Sequence, residues 1–436
     1  MKMQYRTYYV SSETGNDCYD GLSKTTPFAT LKRLQQCKLY PGDQILLECG
    51  SVFEDQYLHI SDSGSKELPI EIGAYGNGAL PKIHANGTGI WYQDYGMPLD
   101  SPAHVYRGNV SSAILLYDAQ YIWIHDLEIT NQEPFTTMEA YCAPNKMDRT
   151  GVAVVAQNGG TLHGIHLSSL MIHDVNGNVY NKHMNNGGIY MTALKPENEK
   201  VTGVARFDGV LVEDCSVWRV SRWGIAVGYT YQHARFTGAE LAEETFLQYG
   251  QEHILLRNNY VKEAGGDAIT PMYALRPVTE HNSADSCACE MNDYVYRHPG
   301  ERMGKVAAGI WPWKCKDAVF RYNEVRDMKL NQDGMAYDAD SGDGTLYEYN
   351  YSSQNEGGCV MFCLEEAIHN TFRYNVSVDD LGGILSPSGN PDAYVAENEF
   401  YVRRGVPLLR NQMSDGRITL EKNKITMIEN ENGGQR

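Results

Sequence analysis

Short β-prone runs recur along the chain, each entered through small residues: 187–191, 223–227, 266–270, 307–313, 357–363 and 382–386. Upstream of several lies a second run ending near an asparagine, as at 254–261, 319–325, 346–352 and 372–377. From Ala336 to Cys359 to Ile384 the steps are 23 and 25 residues. A strand–turn–strand unit repeated at this spacing marks a solenoid, and it is too short for a βαβ unit of about 30 residues or more. The pattern predicts an all-β chain wound as a right-handed parallel β-helix. Residues of period 2 alternate between its interior and its outer faces.

Taken in order, Thr7-Tyr8-Tyr9-Val10 predicts the first strand and 44–47 the next. Between them, residues 28–38 predict a short helix opened by Thr30. A solenoid end exposes core and unpaired strand edges, so this helix is the expected N-terminal cap. Strands follow at 70–76, 113–117 and 121–130. Four stretches, 86–111, 132–149, 229–250 and 274–305, read as long loops leaving one face and walling a cleft; the third carries a helix near 239–246. One domain is expected over 1–436, with the cap at about 5–50 and a frayed polar tail at about 429–436. Asn259, Asn323, Asn350, Asn375 and Asn398 fall at one coil position and predict a structural side-chain ladder.

Composition narrows the classes. With 42 Gly, 30 Tyr and 21% charged residues in 436, many short strands and tight turns fit better than helices. No apolar run approaches the roughly 18 residues that span a membrane. The first residues hold no apolar signal core, so a cytoplasmic protein is expected, or a secreted one whose signal was trimmed. Ten scattered cysteines read as reduced thiols; Cys287 and Cys289 form a close pair, but no second pair follows at zinc spacing. A net charge of −18 disfavours nucleic acid and other polyanions and raises no objection to a neutral substrate.

The chemistry concentrates in 333–343, where Asp333, Asp338, Asp340 and Asp343 fall within eleven residues. Aligning the coils puts Trp311, Asp338, Met361 and Ser386 in one column and Trp313, Asp340, Cys363 and Ser388 in the next. Ile310, Tyr337, Val360 and Leu385 then form the core column. The aspartates thus face away from the coil interior, beside two tryptophans. Aromatic rings pack on sugar C–H faces, and an acetal needs one acid and one base or nucleophile. A polar strand edge and rings tucked under a loop are the plain structural alternatives.

The entry segment Gly15-Asn16-Asp17, Asp20-Gly21-Leu22-Ser23, Thr26-Pro27-Phe28, Thr30-Leu31 and Pro41-Gly42-Asp43 resembles that of parallel β-helix enzymes in the pectate-lyase-like superfold. The later repeats are similar to the β-helix lacto-N-biosidases and β-xylosidases. The lacto-N-biosidase type implies two aspartates seven residues apart, matching Asp333 and Asp340. The β-xylosidase type implies an Asp and a Glu on successive coils, matching Asp333 and Glu356. The strand argument alone favours Asp338 with Asp340. Further outward candidates for substrate binding are Trp311, Trp313, Asp267, Tyr229, His183, Arg222 and Glu365. The expected function is metal- and cofactor-independent hydrolysis of a neutral oligosaccharide, with no nucleic-acid or membrane partner. The alternatives are a polysaccharide lyase holding Ca²⁺ at the aspartates, with Lys314 or Lys316 as base, and a non-catalytic glycan-binding solenoid.

Overall fold

The computed structural model describes residues 5–297, 305–410 and 415–429. Among these, parallel strands stack into three long faces. Sheet A holds 14 strands and runs from Thr7–Val10 to Thr419–Glu421. Sheet B holds 12, from Val52–Glu54 to Lys424–Ile428. Sheet C comes as a seven-stranded and a three-stranded part. Residues 310–313 join the two parts through single bridges, Ile269 to Ile310 to Tyr337 and Met272 to Trp313 to Asp340. The chain is therefore a parallel β-helix, each coil passing from A to B to C.

The A–B corner shows why this sequence winds. From Asn258 onward, one non-glycine residue per coil takes the left-handed conformation here: Asn258, His281, Tyr322, Tyr349, Tyr374, Glu397 and Lys422, all at φ between 52° and 57°. Such residues cost free energy locally. The next residue is an asparagine every time, and these asparagines compensate. Asn259, Asn282, Asn323, Asn350, Asn375 and Asn398 each donate backbone N–H and Nδ2 to Oδ1 of the asparagine one coil on, ending at Asn423. The ladder contains the five expected asparagines and adds Asn282 and Asn423. Outside it, His281, Tyr322, Tyr349 and Tyr374 stack ring on ring at 4.9–5.4 Å.

Inside, Ile310 pairs with Tyr337, Tyr337 with Val360 and Val360 with Leu385, the expected core column. Two buried tyrosines of this part of the core place their hydroxyls on backbone: Tyr337 donates to Tyr351 O (2.7 Å) and Tyr347 to Asp338 O (2.9 Å). All ten cysteines are free thiols, and Cys287 and Cys289 point their sulfurs at the carbonyls of Val261 and Ala264.

Several expectations change. The helix expected over 28–38 is a single turn, Leu31–Leu34, with Thr30 Oγ1 accepting from Arg33 N at 3.0 Å. The stretch 274–305 is not one loop, because Val278–Glu280 and Ser283–Asp285 are the A and B strands of a coil. Three-residue strands flanked by Pro277 and polar residues are too short to show alternation. The stretch 86–111 contains Ile90–Asp94, which pairs antiparallel with Arg107–Tyr117. The helix expected near 239–246 is found at Glu243–Tyr249. Most of the polar tail, 430–436, lies outside the described residues.

Candidate active site

The strand Met335–Asp340 pairs Asp338 with Met361 and Asp340 with Cys363, as the coil alignment requires. Tyr337 and Ala339 enter the core, so Asp338 and Asp340 point the other way. Their exposure differs: Asp338 is 3% exposed and one of its carboxylate oxygens has no hydrogen-bond partner, whereas Asp340 is half-buried. Asp333 sits in the turn just before the strand, its N–H held by Asn331 Oδ1 at 2.8 Å. The turn needs a glycine one coil on, because a Cβ on Gly357 would lie 2.1 Å from Asp333 O.

Burial shapes the acidities. It pushes Asp333 up to about 7, with the charges of Asp340 and Asp267 adding to the rise and Lys182 and Arg222 opposing it. Asp338 is pushed well above the carboxylate range by burial and by Asp340 and Asp333. Burial raises Asp340 as well, but the Ser341 hydroxyl donates to its Oδ1 at 2.6 Å and Lys182 and Lys314 favour its anion.

The preceding coils build the wall. Asp267 is fully buried and accepts from Trp311 Nε1 and Ala308 N, both at 3.0 Å, while Arg222 lies 3.6 Å from its other oxygen. Arg222 is itself left-handed, at φ 52°, and donates to Val306 O. Trp311 and Trp313 are 6.1 Å apart, and Lys182 Nζ lies over both, at 5.6 and 4.9 Å from the ring centres. His183 is fully buried, stacked on Tyr229 at 4.1 Å and 5.1 Å from Trp313. Burial, then the neighbouring positive groups, hold its pKa well below the ordinary histidine value, so the ring is neutral. Neither ring nitrogen has a hydrogen-bond partner.

Asp333, Asp338, Asp340, Asp267, Trp311, Trp313, His183, Tyr229 and Arg222 thus converge on one region of sheet C. Two candidates do not join them. Glu356 follows Asp333 by one coil as expected, but its carboxylate accepts from Leu330 N (2.8 Å) and Lys329 Nζ (3.3 Å). Glu365 is exposed on the turn after Gly358–Cys363, and its neighbour Glu366 is the one whose charge reaches Asp340. Sequence reasoning missed Lys182, whose charge acts on Asp267, Asp333, Asp338 and Asp340 together. It also missed Asp100 and His104, which reach His183 from the 95–106 loop. A signal for Lys182 was present: like Asp267 and Asp333, it stands in the turn leading into a sheet C strand.

Two sets have donor atoms close enough to share a cation, Asp100 with His104 and His183, and Asp338 with Asp340 and Cys363. At the second, the Lys182 ammonium already supplies positive charge to both aspartates.

Clustered carboxylates of unequal acidity beside buried tryptophans, on the outer face of a parallel β-helix, define the β-helix glycoside hydrolases as a class. Comparison with known proteins sharpens this. The chain is 62% identical to the GH136 lacto-N-biosidase from Eubacterium ramulus, matching over 97% of this chain and 68% of that one, with a TM-score of 0.95. It is 44% identical to the lacto-N-biosidase of Bifidobacterium longum subsp. longum over 91% of its own length, but spans only 27% of that relative. No family profile matches. The chain belongs to the GH136 lacto-N-biosidase family.

Proposed function

We propose that this chain hydrolyses a neutral oligosaccharide at a lacto-N-biose unit, with Asp333 as general acid and Asp340 as its ionised partner. The carrying observation is the difference between two neighbouring carboxyls. Asp333, at about 7, keeps its proton near neutral pH and can deliver it to a leaving oxygen. Asp340 has the Ser341 hydroxyl and two lysines on the side of its anion, as a base or nucleophile needs. Trp311 and Trp313 are buried beneath Lys182, so they wall the acidic face and lower its polarity rather than present open rings. The acid–base pair needs no metal for this work.

The test is turnover of an aryl lacto-N-bioside, followed by release of the phenol and by chromatography of the sugar. Release of lacto-N-biose supports the reading. Release of a monosaccharide, or an unsaturated sugar product, rejects it. Turnover unchanged by chelator is expected; loss restored by Ca²⁺ would move the chemistry to the lyase class.

A further inference from the structure

Away from the acidic face, a groove of about 680 Å³ crosses the outer side of sheet A. Its volume falls in the range of small-molecule sites. Its shape comes from one column of left-handed residues on four successive coils: Tyr121, Gly164, Gly209 and His253, at φ 53°, 63°, 83° and 53°. The Tyr121 ring lies over Gly164, where a Cβ would stand 2.7 Å from its Cδ1. Gly209 has nothing nearer its own Cβ position than backbone at 3.5 Å. The floor is thus bare of side chains between Tyr121 and His253.

The walls are aromatic and fixed. Tyr121 is stacked with His163 at 6.0 Å, and Trp123 with His166 at 5.3 Å and 6°. Trp123 Nε1 donates to Ser168 Oγ at 2.9 Å. On the next coil the outward residues are Asp208 and Leu211, so neither ring stack continues. Asp208 bridges His163 (3.2 Å) and His253 (2.6 Å), engaging each imidazole through Nδ1. Each ring therefore keeps Nε2 for a ligand. Of the residues lining the groove, Lys66 is the one permanent cation, so a polyanion finds little there.

We propose that this groove is a second, non-catalytic binding site for a neutral sugar chain. A sugar ring would continue the interrupted stacks by its C–H face, with its hydroxyls at Asp208 and the imidazoles. The ligand class rests on the proposed hydrolase function; the groove itself does not.

The probe is lacto-N-biose, titrated by calorimetry and by ligand-observed NMR against the parent, Trp123→Ala and His253→Ala. A site of roughly millimolar affinity is expected, weakened about tenfold by Trp123→Ala, with turnover of the aryl lacto-N-bioside within twofold of the parent. His253 is largely exposed, so His253→Ala keeps the test valid if Trp123→Ala fails to fold. Binding that neither variant alters overturns the proposal. So does a concentration-dependent dimer of the parent that Trp123→Ala abolishes, since the groove would then serve a second copy. Turnover without groove binding rejects the groove alone, and groove binding without turnover rejects the hydrolase reading alone.

Discussion

The A–B corner and the acidic face belong to the same coils, and both set columns of polar side chains largely away from water. At the corner every amide is used: Asn350 accepts twice from Asn323, donates twice to Asn375 and gives a further bond to Phe320 O. At the acidic face the account stays open. Asp338 Oδ1, Asp267 Oδ2 and both nitrogens of His183 lack hydrogen-bond partners, and like charges crowd together. Buried polar groups left unpaired are costly, and they persist where a ligand supplies the missing partner. A repeat that satisfies itself builds the scaffold, and one that does not marks the site.

The sharpest way to break this contrast is at the pair itself. Asp340→Asn and Asp333→Asn should each lower kcat/KM on the aryl lacto-N-bioside by about 10²–10⁴ or more while leaving the thermal midpoint unchanged or higher. The amide keeps the shape, and removing a buried carboxyl relieves a desolvation cost. Near-parental turnover in both variants would put the reaction elsewhere on the solenoid.

Next in size is the pH dependence. Asp333 titrates at about 7 in the fold. As the general acid it works protonated, so kcat/KM should hold below that pH and fall about tenfold per unit above it. Its folded pKa lies above the unfolded value of about 3.9, so its contribution to stability is fully present below about pH 4 and lost as pH rises through 7. Asp333→Asn should abolish the fall in stability between about pH 4 and 7 attributable to this group. An activity that rises from pH 6 to 8 would reverse the assignment.

At the corner the expected effect is on stability alone. Asn350→Ala strands the N–H and Nδ2 of Asn323, and each buried unpaired donor costs about 1–3 kcal/mol. Chemical denaturation should show that loss with kcat unchanged. A fall in kcat at parental stability would mean that the ladder is not merely scaffold.

The coil register was legible because an alternation of period 2, repeated every 23–25 residues, leaves little freedom in which side chains face inward. Ile310, Tyr337 and Val360 fell where it put them, and the asparagines announced themselves by recurrence. What stayed hidden is decided in space. Asp100 and His104 reach the site from a loop whose course no local pattern fixes, and Lys182 stands out only once its turn is aligned with those of Asp267 and Asp333. Glu356 shows the complementary error. Its position follows from the register, but its direction is set by Lys329 and the Leu330 N–H, which compete for the carboxylate.

The smallest effect should come from Asp338→Asn, and it is the most discriminating. Asp338 shares a face with Asp340, and their oxygens lie within 4.8 Å, so geometry alone would make them the dyad. Its surroundings argue otherwise. Asp338 is 3% exposed, and burial and two neighbouring aspartates push its pKa far above the carboxylate range. Burial and the neighbouring aspartates thus favour its neutral form, which an amide of the same shape mimics. Turnover should stay within about threefold of the parent, far from the roughly 10²–10⁴-fold that loss of a general acid or base costs. Stability should rise, and more so with pH. The parent must keep a proton on Asp338 that its unfolded chain gives up above about pH 4, and the asparagine variant escapes this. Thermal melts of both proteins from pH 5 to 8 measure the widening gap. Should Asp338→Asn instead cost more than a hundredfold in kcat/KM while Asp333→Asn stays active, the dyad is Asp338 with Asp340, and Asp333 serves the turn.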